Sequence, residues 1–276
     1  MAWTFQKMNI IAFDIGGSKI DGALVINNKI KRFIRKNTES KSSKEAILRE
    51  ITGTIDLLMN NNVKGIGLGV PGIAENGRVV FMPNIKSLVG LDLRKFLEKR
   101  YNIKIVIEND AKCFVLGEFL YGKSRGFSNV AGITLGTGVG SGFIFNKKLY
   151  LKYTELGHII IKGENLPEEQ LCSGPALVKT YELATNKTLT PKEIFNINNK
   201  FSKQVLKEFY FHLSKFLNSI VKEYPIEIIV LGGGLSKSVN LRFIQLDNKR
   251  IKVVNSYLNS KANILGISYI TSNGNL

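Results

Sequence analysis

The sequence predicts two α/β domains around a shared cleft, and three observations carry that expectation. Each half of the 276-residue chain opens with an apolar strand, a glycine turn and another strand. Each half then alternates helical periodicity with short strands, the pattern of helices packed on a sheet. A third glycine cluster ends the last strongly apolar run. The length suits one large domain or two modest ones, and the repeated opening selects two.

The elements follow in order. Asn9–Asp14 is apolar and β-branched, Ile20–Ile26 is a second strand, and Asn27-Asn28 makes a hairpin turn into Lys29–Arg35. Lys44–Met59 carries Ile47, Leu48, Ile51, Ile55 and Leu58 at helical spacing. Gly65–Val70 and Lys104–Glu108 read as strands, and Leu91–Arg100 and Ala111–Tyr121 as helices. In the second half, strands at Val130–Leu135 and Gly142–Phe145 flank a glycine-rich turn. Thr190-Pro191-Lys192-Glu193 starts a helix, with Thr at the N-cap and Glu at the capping-box position. Lys203–Lys222 is a long helix with Leu206, Phe209, Leu213, Phe216, Leu217 and Ile220 on one face. Ile226–Leu231 is a buried strand.

Composition excludes several classes. Hydrophobic residues make up 44% and charged residues 22%, so the chain is neither disordered nor fibrous. No apolar run approaches the roughly 20 residues of a membrane span. Met1–Asn9 lacks the pattern of a secretion signal, so a cytoplasmic protein without a membrane partner is expected. Cys113 and Cys172 are too few for a cysteine zinc site and read as small buried residues. The net charge is +17, yet positions 1–50 hold ten Lys/Arg and positions 200–276 eleven, without a run. That spread reads as solvated surface, and no nucleic-acid partner is expected.

Three glycine clusters end strands: Asp14-Ile-Gly-Gly-Ser-Lys19, Leu135-Gly-Thr-Gly-Val-Gly-Ser-Gly142 and Leu231-Gly-Gly-Gly-Leu235. Successive amides at such turns form nests for phosphate, and plain hairpin turns are the simpler alternative. None matches the P-loop spacing, and none is expected to open a helix. Asp14 beside a phosphate nest calls for an intervening cation, which points to Mg²⁺. Glu108-Asn109-Asp110 places carboxylates at a strand end, as a general base requires, and equally reads as a helix N-cap. Glu155-Leu-Gly-His158 sets a carboxylate and an imidazole three apart. His158 also reads as a hydrogen-bonded structural histidine, and His212 as a packed one.

Together these motifs resemble the ROK sugar kinases of the actin-like, hexokinase-like ATPase superfamily. Asp14–Lys19 is similar to the first phosphate motif, Gly67–Gly72 with Pro83-Asn84 to the sugar-side loop, and Glu108–Ala111 to the catalytic END-A motif. Leu135–Gly142 resembles the second phosphate motif, Glu155–His158 the ExGH motif, and Glu169–Gly174 the ExxxSG segment. Leu231–Gly234 is similar to the adenosine motif and Asn263–Gly266 to the terminal helix. The likeness runs over residues 9–270 in the family's order.

The resemblance implies two actin-like (ribonuclease H-like) α/β domains flanking a nucleotide and sugar cleft. They are expected at 1–112, with a terminal helix over 262–276 packing back, and at 113–261. It implies ATP-dependent phosphorylation of a hexose 6-hydroxyl, glucose first, with fructose, N-acetylmannosamine or N-acetylglucosamine as alternatives. Asp110 would be the general base. Gly72, Asn84, Asn109, Asp110, Glu155, His158 and Glu169 would bind the sugar. Gly16, Gly17, Ser18, Lys19, Gly136, Thr137 and Gly138 would hold the phosphates of ATP. Gly233 and Gly234 would lie under the adenosine, and Asp14 would order Mg²⁺ through water. A homo-oligomer, a dimer, is the family's usual state.

Two departures matter. The family's zinc cluster, CxCGxxGC, is replaced by Ile159–Glu168 (IIIKGENLPE), so no zinc is expected and His158 is freed from that duty. The loop Lys147–Thr154 is shorter than the family's and leaves the sugar undetermined. Two other classes compete. A sugar-sensing regulator would need a DNA-binding domain, and only thirteen residues precede Asp14. An actin-like switch ATPase would need no polyol-binding constellation.

Overall fold

The computed structural model describes residues 3, 6–38, 43–152 and 155–274. The chain forms two compact units, one of residues 1–122 with 260–276 and one of 123–259. The first holds strands β1 (Asn9–Ile15), β2 (Lys19–Ile26), β3 (Lys29–Asn37), β4 (Val63–Val70), β5 (Ile73–Glu75), β6 (Arg78–Phe81) and β7 (Lys104–Asn109). Its helices are α1 (Lys44–Leu58), α2 (Leu93–Tyr101), α3 (Asp110–Tyr121) and the C-terminal Ser260–Asn273. The main sheet runs β3-β2-β1-β4-β7, with β1, β2 and β3 antiparallel and β1, β4 and β7 parallel.

The local chemistry explains most of these elements. Asn27 and Asn28 both take positive φ, as the tight β2–β3 turn requires. Ser43 caps α1 by accepting from the Ala46 amide. Period-two alternation then assigns the faces of the sheet. Phe13, Ile66 and Leu68 pack with Ile47, Ile51 and Ile55 of α1. The opposite face lies under α3 and the C-terminal helix.

Those two helices cross at very close range. A Cβ on Gly117 would lie 2.0 Å from the Ala262 carbonyl oxygen, and one on Gly266 would lie 1.9 Å from that of Cys113. Each helix therefore presents a glycine to the other's backbone. Ten of the twelve α3 residues are buried, so α3 has no polar stripe. This packing corrects the boundary expected at 112/113: it would cut α3 after its first turn, while α3 and residues 260–261 belong with the first sheet.

The second unit repeats the plan. Its strands are β8 (Val130–Leu135), β9 (Val139–Phe145), β10 (Lys148–Leu149), β11 (Ile228–Gly232) and β12 (Lys252–Asn255), in the order β10-β9-β8-β11-β12. Its helices are α4 (Glu169–Cys172), α5 (Gly174–Thr185), α6 (Pro191–Asn196), α7 (Lys200–Glu223) and α8 (Gly233–Ser236), so the C-terminal helix is α9. The Thr190–Glu193 capping box forms with both of its bonds. Phe209, Leu213, Phe216, Leu217 and Ile220 of α7 pack on Ile133, Leu135, Phe143 and Ile229, and Leu206 lies at the edge of that core. Both cysteines are buried and free. The third glycine cluster does open a one-turn helix, α8, contrary to expectation.

Candidate functional site

In the first unit, sheet register gathers the charged candidates. Arg35 of β3 pairs with Asp21 of β2, Asp21 with Asp14 of β1, Asp14 with Gly69 of β4, and Gly69 with Glu108 of β7. Cross-strand partners share a face, so one row crosses the sheet on the side of α3 and α9. Adjacent strands lie about 4.8 Å apart. The backbones of Asp14 and Glu108, two strands apart, are therefore about 10 Å from each other.

Asp14 is half-buried, and its Oδ1 accepts from Asn263 Nδ2 of α9 at 3.0 Å. Burial first, and Asp21 second, push its carboxyl up to about 7, against the Asn263 hydrogen bond and the more distant Arg35. Asp21 itself is held bidentately by Arg35, at 2.6 Å on each oxygen. Arg35 also donates to Ser260 Oγ at 2.8 Å. An oxygen donor with a like charge behind it suits a hard divalent cation such as Mg²⁺.

The first glycine turn follows Asp14 directly. Gly16 N donates to Lys19 O at 2.8 Å, and Thr38 Oγ1 donates to Gly16 O at 2.8 Å. Asn84 packs against this turn, since a Cβ on Gly17 would fall 2.9 Å from the Asn84 Cβ. Asn84 thus lies near Asp14, a closeness no local pattern announces. Ser18 and Lys19 are exposed at the turn.

Asn109 and Asp110 start α3, and the N-cap and site readings prove compatible. Asn109 Oδ1 accepts from Lys112 N at 3.1 Å, and its Nδ2 donates to Gly72 O at 3.0 Å. The Asn109 carboxamide therefore fastens the Gly72 turn to the helix start. Gly72 has φ +125° and lies against the Phe81 carbonyl, where any Cβ would clash. Asp110 Oδ1 accepts from Ala111 N at 2.8 Å, at a helix end that favours negative charge.

In the second unit, Glu155, His158 and Glu169 gather around Val139, just after the second glycine turn. Glu169 Oε2 accepts from Val139 N at 3.2 Å, and a Cβ on Gly138 would fall 2.3 Å from that oxygen. Gly157 lies against the Val139 carbonyl. Glu155 and His158 flank this 3₁₀ turn, with His158 Nε2 3.9 Å from Glu155 Oε2. The turn itself is closed by Gly136 N donating to Gly138 O at 3.0 Å, and Gly174 N at the start of α5 donates to Gly136 O at 2.8 Å. Thr137 lies between them. Gly233, at φ +82°, begins α8 and lies against the Leu135 carbonyl, so the second and third glycine clusters are neighbours, with Gly234 next in the helix.

The segment Ile159–Glu168 is braced by charge. Glu164 pairs with Lys215 and lies 3.4 Å from His212 Nδ1, both on α7. Glu168 is fully buried against the Cys172 thiol, and desolvation pushes its carboxyl up to about 7. Among the described residues, no three His, Cys, Asp or Glu side chains are placed to hold a metal ion. In the loop Lys147–Thr154, Tyr153 and Thr154 lie outside the described residues.

Sequence reading missed two parts of this arrangement. The β5–β6 hairpin supports the Gly72 turn, and Asn76-Gly77, both at positive φ, is its signal. Helix α5 was signalled by Ser173 at the N-cap with Pro175 in the first turn.

The profile of the ROK family matches residues 10–274. The glucokinase of Thermotoga maritima is 28% identical, covering 96% of this chain and 97% of that one. The N-acetyl-D-glucosamine kinase of Histophilus somni is 29% identical, covering 81% and 83%. A ROK glucokinase from Streptomyces griseus, solved with glucose and AMPPNP, superimposes with a TM-score of 0.83 at 24% identity, over 96% of this chain and all of that one. Among the described residues no helix is long and apolar enough to cross a membrane.

Proposed function

The chain belongs to the ROK family and is an ATP-dependent sugar kinase, and we propose that its acceptor is the 6-hydroxyl of a hexose, glucose first, with Asp110 as general base. The observation that carries this reading is the row across the first sheet. It sets Asp14 and the Glu108-Asn109-Asp110 strand end along one edge, beside the first glycine turn and Asn84.

Phosphoryl transfer to an alcohol is mostly positioning and charge stabilisation. Asp110 accepts the proton of the attacking hydroxyl, a role worth on the order of 10²–10⁴-fold. Asn84, Asn109, Glu155, His158 and Glu169, with the Gly72 turn, bind and orient the sugar. A polyol is discriminated through the polar groups left unpaired by a wrong substrate. The amides of Gly16, Gly17, Ser18 and of Gly136, Thr137, Gly138, with Lys19, hold the phosphates, and Gly233 and Gly234 contact the adenosine. Asp14 would hold Mg²⁺, which would offset the charge of the phosphates.

The test is coupled ADP release with Mg-ATP against glucose, fructose, N-acetylglucosamine and N-acetylmannosamine, with a blank lacking sugar. Turnover is expected with glucose. Preference for an N-acetylhexosamine would replace the acceptor, and turnover equal to the blank for every sugar would overturn the acceptor assignment.

We also propose that the second unit keeps its shape without zinc, the Glu164–Lys215 and Glu164–His212 contacts bracing the segment instead. Elemental analysis of the purified protein is expected to find less than a tenth of a zinc per chain, on the order expected for an adventitious metal. One tightly held zinc per chain would refute it. A dimer is the expected assembly, read by light scattering.

A further inference from the structure

The first turn of α3 carries a side chain outside the motif that contains Asp110. Lys112 is 4% exposed, and among the described residues it is the one lysine or arginine buried so deeply. Its Nζ lies 3.3 Å from Glu108 Oε1, which also accepts from Asn109 N at 2.8 Å. A buried ammonium is tolerated only where charge and hydrogen bonds compensate it.

The surroundings are acidic. Gly69 stands between Asp14 of β1 and Glu108 of β7 in the row, and a Cβ there would lie 3.8 Å from the Asp110 Cα and 3.5 Å from the Cys113 Sγ. Burial first, and then Glu108, Asp110 and Asp14, push the Cys113 thiol up, and Lys112 opposes them. Helix α9 contributes Asn263, which is neutral. Further along the row, Asp21 is neutralised by Arg35. Arg35 and Lys112 therefore stand at opposite ends of the row, each beside a carboxylate. Three carboxylates and one ammonium share the end that contains Asp110.

We propose that Lys112, pinned by Glu108, is a positioning residue that holds the Asp110 carboxylate ionised among like charges and so sets the lower end of the enzyme's working pH range. The inference rests on the reading of Asp110 as general base. A nearby opposite charge lowers a carboxyl's pKa, and a like charge raises it. The two partners therefore act with opposite signs. Loss of the Lys112 charge raises the Asp110 pKa, whereas loss of the Glu108 charge lowers it.

Two readouts test this in the full chain. The first is the acidic limb of the kcat/KM profile with Mg-ATP and glucose. The second needs no turnover: titration of the Asp110 carboxyl by ¹³C NMR, assigned from the signal lost in Asp110→Asn. Lys112→Met is expected to move the titration up by about one pH unit, and Glu108→Gln to move it down. Lys112→Arg is expected to restore it. Circular dichroism checks folding, and if Lys112→Met does not fold, Glu108→Gln and Lys112→Arg still decide. A titration unmoved by Glu108→Gln, or displaced the same way by both neutralising variants, overturns the proposal. If Asp110→Asn keeps its kcat, the base assignment falls and the proposal with it. If Asp110→Asn is inactive but the titration stays fixed, only the role of Lys112 falls.

Discussion

Asp110→Asn is expected to lower kcat by about 10³-fold, or about 4 kcal/mol of transition-state stabilisation, with the sugar KM changed only a few-fold. The substitution is nearly isosteric, and the Asn oxygen can still accept from Ala111 N, as Asp110 Oδ1 does at 2.8 Å. Helix α3 therefore keeps its first turn. It loses an interaction of roughly 0.3–1 kcal/mol between a negative charge and the helix N-terminus. Repulsion from Asp14 and Glu108 is relieved at the same time, so the melting temperature is expected to stay within a few degrees. What disappears is the proton acceptor. Single-turnover and steady-state assays with Mg-ATP and sugar separate the two effects. A variant with near-normal kcat and the same fold would remove Asp110 from the role of base.

The second large effect is structural, and its sign opposes the local rule. In an isolated helix, Gly to Ala stabilises by about 1 kcal/mol. Gly266→Ala is expected instead to destabilise by about 1–3 kcal/mol or more, because its Cβ would lie 1.9 Å from the Cys113 carbonyl oxygen. A backbone carbonyl cannot rotate aside as a side chain can, so α3 and α9 must separate. At about 2–4 °C per kcal/mol for domains of this size, the expected loss is roughly 5–10 °C by calorimetry. The same displacement moves the start of α3, so kcat should fall as well. Gly53 of α1 supplies the control, since a Cβ there meets nothing within 4 Å. Gly53→Ala is expected to hold or raise the melting temperature. An equal rise in Gly266→Ala would show that the helices can move apart without cost.

These two sites also divide what is local from what is not. The Asn27-Asn28 turn, the Thr190–Glu193 box and the α7 stripe are readable because each depends on residues within a few positions of one another. The β5–β6 hairpin carried an equally local signal in Asn76-Gly77. Helix α3 is different. Its hydrophobic residues cover every side, so periodicity alone could not say which face meets the sheet and which meets α9. The boundary expected at 112/113 falls inside this helix, whose whole length belongs to the first unit. Much of the candidate site was legible as motifs: the glycine turns, Glu108-Asn109-Asp110, and Glu155–His158 with Glu169.

By itself, the sequence determined the two α/β halves, the glycine turns with their adjoining carboxylates, and the family that bears them. The tertiary structure decided which of these residues meet within each unit. Strand register aligned Arg35, Asp21, Asp14, Gly69 and Glu108 in one row, and the approach of α9 supplied Asn263 to Asp14. Burial of Lys112 beside Glu108 was likewise settled there, because a lysine in a helical pattern reads as solvent-facing until its neighbours are packed around it. The physical reason is range. Turn dihedrals and caps are satisfied by adjacent residues, whereas register and the choice of buried face are fixed by pairing and packing between segments distant in the chain.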